Sequence, residues 1–370
     1  MFSKTFKEEY YPQIQSLLEQ KTRVDSSSIK KILKKDNLNL NDINNLIQSY
    51  PNQESRNLII KTAAQKREKL WKNRLFLVPP LYVTDKCAND CLYCPWRKSN
   101  KTQRRSLTTQ ELKKEMNFLI DTGYNTIQLV GASDPSFSAD KIAEYIKIAK
   151  EKLKDKKGHI GINFESTDEK DYKLFINSGL DFASLWQETY HPKTFKKMHP
   201  KSRKSNFDYR LDAFDRAFRS GLKKVGIAFL GRLYDWKFEL LSLIAHGTYL
   251  KQKYKIDPFI IGTPRLINTD KIKINNPSNF SDDEWLFAVS ILKLAFPRSL
   301  PWFSTRASFN LNKKAAQGGG ALFTLDCSTA VGGYTIKKDF PQFPVYSKSL
   351  DKGIKWLKQQ GYKPEFHLPY

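Results

Sequence analysis

The sequence predicts an α/β protein: a (β/α)8 barrel of the TIM type, preceded by a helical extension. Three observations predict it. From about residue 75, short apolar strand-like segments alternate with amphipathic helical runs, about eight times over. The first 70 residues are polar and helical in pattern, with no strand candidate. Three of the four cysteines fall within eight residues, on the loop directly after the first barrel strand. In a parallel barrel that loop lies on the C-terminal face, where active sites are built.

The elements follow in order. The extension covers 1–70. Its segment SSSIKKILKKDNLNLNDINNLIQ opens on a serine cap and carries an apolar helical stripe, which SYPNQES breaks. The barrel covers 71–345. Its candidate strands are Pro80–Thr84, Thr126–Val130, His159–Phe164, Phe182–Trp186, Lys224–Phe229, Pro258–Thr263, Trp302–Thr305 and Ala321–Leu325. Helical runs lie between them at Thr109–Thr122, Ala139–Leu153, Glu169–Asn177, Tyr209–Ser220, Trp236–Tyr254 and Asp282–Leu294. Ser281 is a good start for the last of these. The tail, 346–370, holds a helix at Ser349–Gln360, stopped by Gly361.

Composition narrows the class. A chain of 370 residues with 40% hydrophobic residues can bury a sizeable core. It shows no secretory signal and no apolar run of the roughly 18–20 residues a membrane helix needs. A soluble, cytoplasmic protein with no membrane partner is expected. The net charge of +25 is spread along the chain, and no arginine–aromatic recognition stripe accompanies it. Nucleic acid is therefore not the expected partner. Cys87, Cys91, Cys94 and Cys327 do not form the even, spaced pattern of a disulfide framework; clustered thiols argue for metal.

The thiols stand in PLYVTDKCANDCLYCPWRKSN with the spacing Cys-x3-Cys-x2-Cys. Three thiolates can hold three irons of a four-iron cluster and leave the fourth iron open. A structural zinc site is the rival reading; it needs a fourth ligand, for which Asp85 or Cys327 is available.

This spacing on this loop resembles the radical S-adenosylmethionine (SAM) superfamily. From about Leu81 to Phe366 the chain is similar to its aromatic amino acid lyase group. That group includes the 2-iminoacetate synthase of thiamine biosynthesis, the tyrosine lyase that matures diiron hydrogenase, and tryptophan lyases. The resemblance rests on CANDCLYCPWRKSN, WQETYHPKTFKKMHP, KSNFDYRLDAFDRA, VGIAFLGRLYDWKFE, TPRL, FSTR and Gly332–Tyr334, in matching order and spacing. It implies a radical SAM barrel whose cofactors are a 4Fe-4S cluster on Cys87, Cys91 and Cys94 and SAM, with hydrogen abstraction by a 5′-deoxyadenosyl radical. It places Tyr93 near the adenine, Glu188 and Arg210 on the SAM, and Trp96 on the substrate pocket. Arg306, beside Ser304 and Thr305, falls to the substrate carboxylate, which its planar fork suits.

The chain departs from the family pattern at several points. Ser133, in VGASDP, replaces the glutamate of a Gly-Glu pair; it can hydrogen-bond SAM but offers no charge, and Asp134 is the candidate to supply one. Pro95 replaces a glycine. DCST, with Cys327 and Ser328, replaces a run that carries a cation. At the C-terminus the maturase continues with auxiliary-cluster cysteines where this chain has His367, so a second cluster is not expected.

The expected activity is Cα–Cβ cleavage of an aromatic amino acid, tyrosine by default, giving 2-iminoacetate and p-cresol. The alternatives are a radical SAM enzyme of the same fold acting on tryptophan or another small substrate, and a non-catalytic iron–sulfur scaffold. Expected partners are a small-molecule amino acid, a reductant such as flavodoxin or ferredoxin, and an enzyme that receives the product.

Overall fold

Helices at Phe2–Thr5, Tyr11–Glu19, Ser26–Leu33, Leu40–Gln48 and Gln53–Trp71 precede the sheet. The computed structural model describes residues 1–370 except 21–23, 201, 273, 275, 276, 304, 305, 337–339, 346–348 and 370. The cap of Ser26–Leu33 is Asp25 rather than the expected serine: its carboxylate accepts the Ser28 N–H at 2.7 Å. That helix stops at Leu33, and a new one starts after Asn39, which forms a reciprocal capping box with Asp42. The first residues are docked firmly. Phe2 N–H donates to Asp215 at 2.9 Å and Ser3 N–H to Asp212 at 2.7 Å, while the Phe2 ring stacks on His246 at 4.0 Å.

Among the described residues ten parallel strands follow: β1 Arg74–Leu77, β2 Pro80–Thr84, β3 Thr126–Gly131, β4 His159–Asn163, β5 Phe182–Glu188, β6 Val225–Phe229, β7 Ile260–Gly262, β8 Leu300–Phe303, β9 Leu322–Phe323 and β10 Lys363–Glu365. Their order is β10-β1-β9-β8-β7-β6-β5-β4-β3-β2. They form a curled wall with helices around it, the TIM-type α/β architecture that was expected. The eight expected strands coincide with β2–β9; in the seventh, Ser304 and Thr305 lie outside the described residues.

The hydrogen-bonded ladder does not join β1 to β2, where the sequence led to a fully closed ring. The two are consecutive pieces of one extended segment, broken at Pro79 and Pro80. Proline has no N–H to give a ladder and fixes its own φ. The first piece pairs with β9 (Phe76 opposite Leu322), and the second with β3 (Leu81 opposite Leu129). The curl thus turns back on itself through the chain.

Small residues hollow the interior. A Cβ added at Gly226 on β6 would stand 2.3 Å from Ser184 Oγ on β5, and one at Gly262 on β7 would stand 3.1 Å from the Trp302 ring. Gly226→Ala is expected to cost roughly 1–3 kcal/mol by overpacking, partly relieved by adding Ser184→Ala. Calorimetric melts of both variants check this; an unchanged melting temperature in Gly226→Ala would contradict it.

Candidate active site

The loop between β2 and the helix Thr109–Asp121 is stapled at its base before it can present its thiols. Asp85 accepts the Arg105 N–H at 2.7 Å, and the Thr84 and Ser106 hydroxyls meet at 2.8 Å. Further out, Leu92 N–H donates to Met198 O at 3.0 Å and Lys98 N–H to Asn89 O at 2.8 Å. These bonds aim the cysteines into the mouth of the barrel. There they line a cavity of about 1460 Å³, its open mouth included. All nine site residues expected from the sequence line this one cavity: Cys87, Cys91, Tyr93, Cys94, Trp96, Ser133, Glu188, Arg210 and Arg306. Cys327 lines it too.

The cavity opposes ionisation of the thiols. Burial raises all three, and the neighbouring charges of Cys91 and Cys87 help push Cys94 up to about 12. Thiols buried together in this way need a positive group among them to become thiolates. Among the described residues, no three His, Cys, Asp or Glu side chains converge on a single-ion position. Asp85, a candidate fourth zinc ligand, is already engaged at the base of the loop. The thiolates of a four-iron cluster each hold a different iron, so the donor set fits that group without such convergence.

Beside the thiols sits a charged quartet. Glu188 ends β5, Glu165 follows β4 by two residues, Lys204 lies in the turn Arg203–Ser205, and Arg210 lies in the short helix Phe207–Leu211. Lys204 Nζ lies 2.6 Å from Glu188, Arg210 lies 3.7 Å from the same carboxylate, and Arg210 also pairs with Glu165. Arg210 is fixed by two bonds to Trp186 O, at 2.6 and 3.1 Å. Burial alone would raise Glu165, but Arg210 and Lys204 hold it down to about 2. Sequence reading missed Glu165 and Lys204. Glu165 was within reach, because it stands just past the C-terminal end of an expected strand; Lys204 is lost in the basic run KSRKS.

Ser133 Oγ donates to Glu165 at 3.0 Å. Asp134 does not line the cavity: its carboxylate accepts from the hydroxyls of Thr84 (2.9 Å), Ser106 (3.1 Å) and Ser136 (2.6 Å). The Tyr93 hydroxyl meets His199 Nε2 at 2.8 Å, and His199 Nδ1 lies 2.7 Å from Phe195 O. The carbonyl takes the Nδ1 proton, so Tyr93 is the donor to Nε2. Trp96 donates to Phe340 O at 3.0 Å and packs edge-on against Tyr82. Below it, Trp186 and Trp302 stack with centroids 5.3 Å apart. The Arg306 guanidinium lies 3.8 Å over the Phe343 ring, and burial lowers its pKa.

Glu188 is held at φ +71, a left-handed backbone that a non-glycine residue adopts at a cost. The helix Trp236–Tyr254 clamps the next two residues: Glu239 accepts the Tyr190 N–H at 2.8 Å and the Thr189 hydroxyl. Burial raises Glu239 to about 8, against these two donors. Folded chains keep this proton between the ordinary value of 4.5 and about 8, whereas unfolded chains lose it. Stability therefore falls as pH rises through that window. Glu239→Gln is expected to flatten the melting-temperature profile between about pH 5 and 8. A mutant profile as steep as wild type would overturn the assignment.

The profile of the Radical SAM superfamily matches residues 81–241, from β2 through the cysteine loop and past β6, so the chain resembles that superfamily over this span. The superfamily uses a 4Fe-4S cluster and SAM, and the resemblance supports catalysis. Among individual proteins, the chain is 27% identical over 264 residues to 2-iminoacetate synthase of Escherichia coli (strain K12), covering 67% of this chain and 68% of the relative. It is 28% identical over 265 residues to 3-methylornithine synthase of Methanosarcina barkeri (strain Fusaro / DSM 804), covering 70% and 71%. The crystal structure of HydG, a maturase of the [FeFe]-hydrogenase, superposes with a TM-score of 0.91 at 29% identity, over 98% of this chain and 81% of that one.

Proposed function

We propose that this protein is a radical SAM carbon–carbon lyase that cleaves the Cα–Cβ bond of an aromatic amino acid, tyrosine by default, to give 2-iminoacetate and p-cresol. The observation that carries the reading is the convergence of three thiols, a charged quartet, Arg306 and an aromatic wall on one cavity. Similarity to 2-iminoacetate synthase supports the same choice. When bound, the cluster and SAM supply a hydrogen-abstracting radical.

The chain's own residues do the rest. Cys87, Cys91 and Cys94 hold the cluster. Glu188, Arg210, Ser133 and Tyr93 seat SAM. Arg306 holds the substrate carboxylate, and Trp96 walls the pocket. Trp186 and Trp302 offer flat apolar faces to a substrate ring and exclude water around it.

A second reading is favoured by the comparable identity to 3-methylornithine synthase: an amino acid substrate with an aliphatic chain. Anaerobic reconstitution with iron and sulfide, then mass spectrometry of products from SAM with tyrosine, tryptophan or aliphatic amino acids, separates the two. p-Cresol from tyrosine is the expected result. SAM cleavage coupled only to an aliphatic amino acid would replace the first reading with the second.

A further inference from the structure

We propose that Glu165 is the residue that receives the α-amino group of SAM, an assignment that rests on the radical SAM reading above. The methionine part of this cofactor carries an amino group and a carboxylate on one carbon. Burying both takes an acceptor of negative charge and a cation on the same wall, because an unpaired buried charge is costly. The quartet offers both kinds of group. It is neutral in sum, two carboxylates against two cations, and it pairs internally in this structure.

The two carboxylates are not equivalent. Lys204 and Arg210 converge on the same Glu188 oxygen, at 2.6 and 3.7 Å. Glu165 divides its work. Oε1 accepts from Arg210 and from the Ser166 N–H at 3.0 Å. Oε2 accepts from the Ser133 hydroxyl at 3.0 Å and the Asn89 amide at 3.3 Å, both neutral. A positively charged N–H donor gains most at an oxygen whose partners are neutral.

That oxygen is also on the thiol side. Asn89 lies between Cys87 and Cys91, Ala88 N–H donates to Ser133 O at 2.9 Å, and the charge of Glu165 is felt at Cys87. Asp134, the nearest acid in sequence to Ser133, is taken by three hydroxyls outside the cavity wall. Arg210, paired to Oε1, is left to face the cofactor's carboxylate.

The test uses the reconstituted enzyme and equilibrium binding of two probes: SAM, and its analogue lacking the α-amino group. Wild type should prefer SAM. In Glu165→Gln, SAM affinity should fall by about 10- to 100-fold, while the affinity for the analogue stays at the wild-type level. In Glu165→Ala/Ser133→Glu the carboxylate moves to the residue that already touches Oε2, and the preference for SAM should return. Iron content is measured alongside. If Glu165→Gln loses iron, the comparison passes to Glu165→Asp, which keeps the charge but withdraws it and should lose preference several-fold.

Retention of the wild-type preference in Glu165→Gln, or in Glu165→Asp where that variant replaces it, would show that another group holds the amino end. Equal weakening of both probes would show that Glu165 only supports Arg210. Failure of the underlying reading looks different: iron-loaded wild type that binds no SAM at all.

Discussion

Cys87→Ala, Cys91→Ala and Cys94→Ala are each expected to lose essentially all reconstituted iron and all turnover, while Cys327→Ala keeps both the iron and its fold. Wild type should hold about four irons per chain, because three thiolates leave one iron of a cubane open. The three thiols share one loop fixed at its base by Asp85 and at its tip by Met198. All three line one cavity, so one polynuclear group can reach them. Cys327 lines the same cavity from the loop after β9 and is buried. Its thiol lies near Tyr82, Tyr124 and Tyr334. Iron and sulfide analysis of the four variants checks this. Equal loss in Cys327→Ala would mean that it is the fourth ligand and that the open iron does not exist.

Arg306→Ala is expected to reduce product formation by about 2–5 kcal/mol of substrate binding, from tens to thousands of fold, with the cluster intact. The guanidinium lies in the cavity wall against Phe343, and burial already disfavours its charge. An arriving carboxylate can meet the planar fork with two parallel charge-assisted hydrogen bonds, which burial strengthens. The loop after β9 carries Cys327 and Ser328 rather than a cation, so this side of the pocket relies on Arg306. Arg306→Lys keeps the charge and loses the planar fork, and should fall between wild type and Arg306→Ala. SAM cleavage uncoupled from product should persist in both. Steady-state rates with SAM cleavage measured in parallel decide it: wild-type product formation in Arg306→Ala would exclude the carboxylate role.

Much of this was legible in the sequence because each layer of the barrel is written locally. β2–β9 read as short apolar runs between periodic helices, and Ser281 with Glu284 forms the capping box expected at that helix start. β1 and β10 escaped because they lie outside the alternation of strand and helix and gain their meaning from each other, with Arg74 opposite Lys363. The expected helix Tyr209–Ser220 is instead two, Phe207–Leu211 and Ala213–Arg219. They meet at Asp212, whose carboxylate holds the backbone of Ser3. Such a contact, across 209 residues, leaves no local trace. The site divides the same way. The cysteines and Arg306 announce themselves by spacing and placement, whereas the partnership of Ser133, Glu165 and Arg210 depends on two strand ends and a short helix meeting.

The broken first strand also sets the order of assembly during synthesis. β1 leaves the ribosome early, yet its partners are β9 and β10, some 250 to 290 residues later by the register of Phe76 with Leu322 and with Glu365. β2 can pair with β3 long before that. The seam at Pro79 and Pro80 thus divides a half that folds as it emerges from a half that waits for the last strands, the slow step expected of such distant pairing. The cysteine loop begins just past this seam, on the early side. Its thiols are made, and exposed to oxidants and stray metal, well before the wall that encloses them is complete.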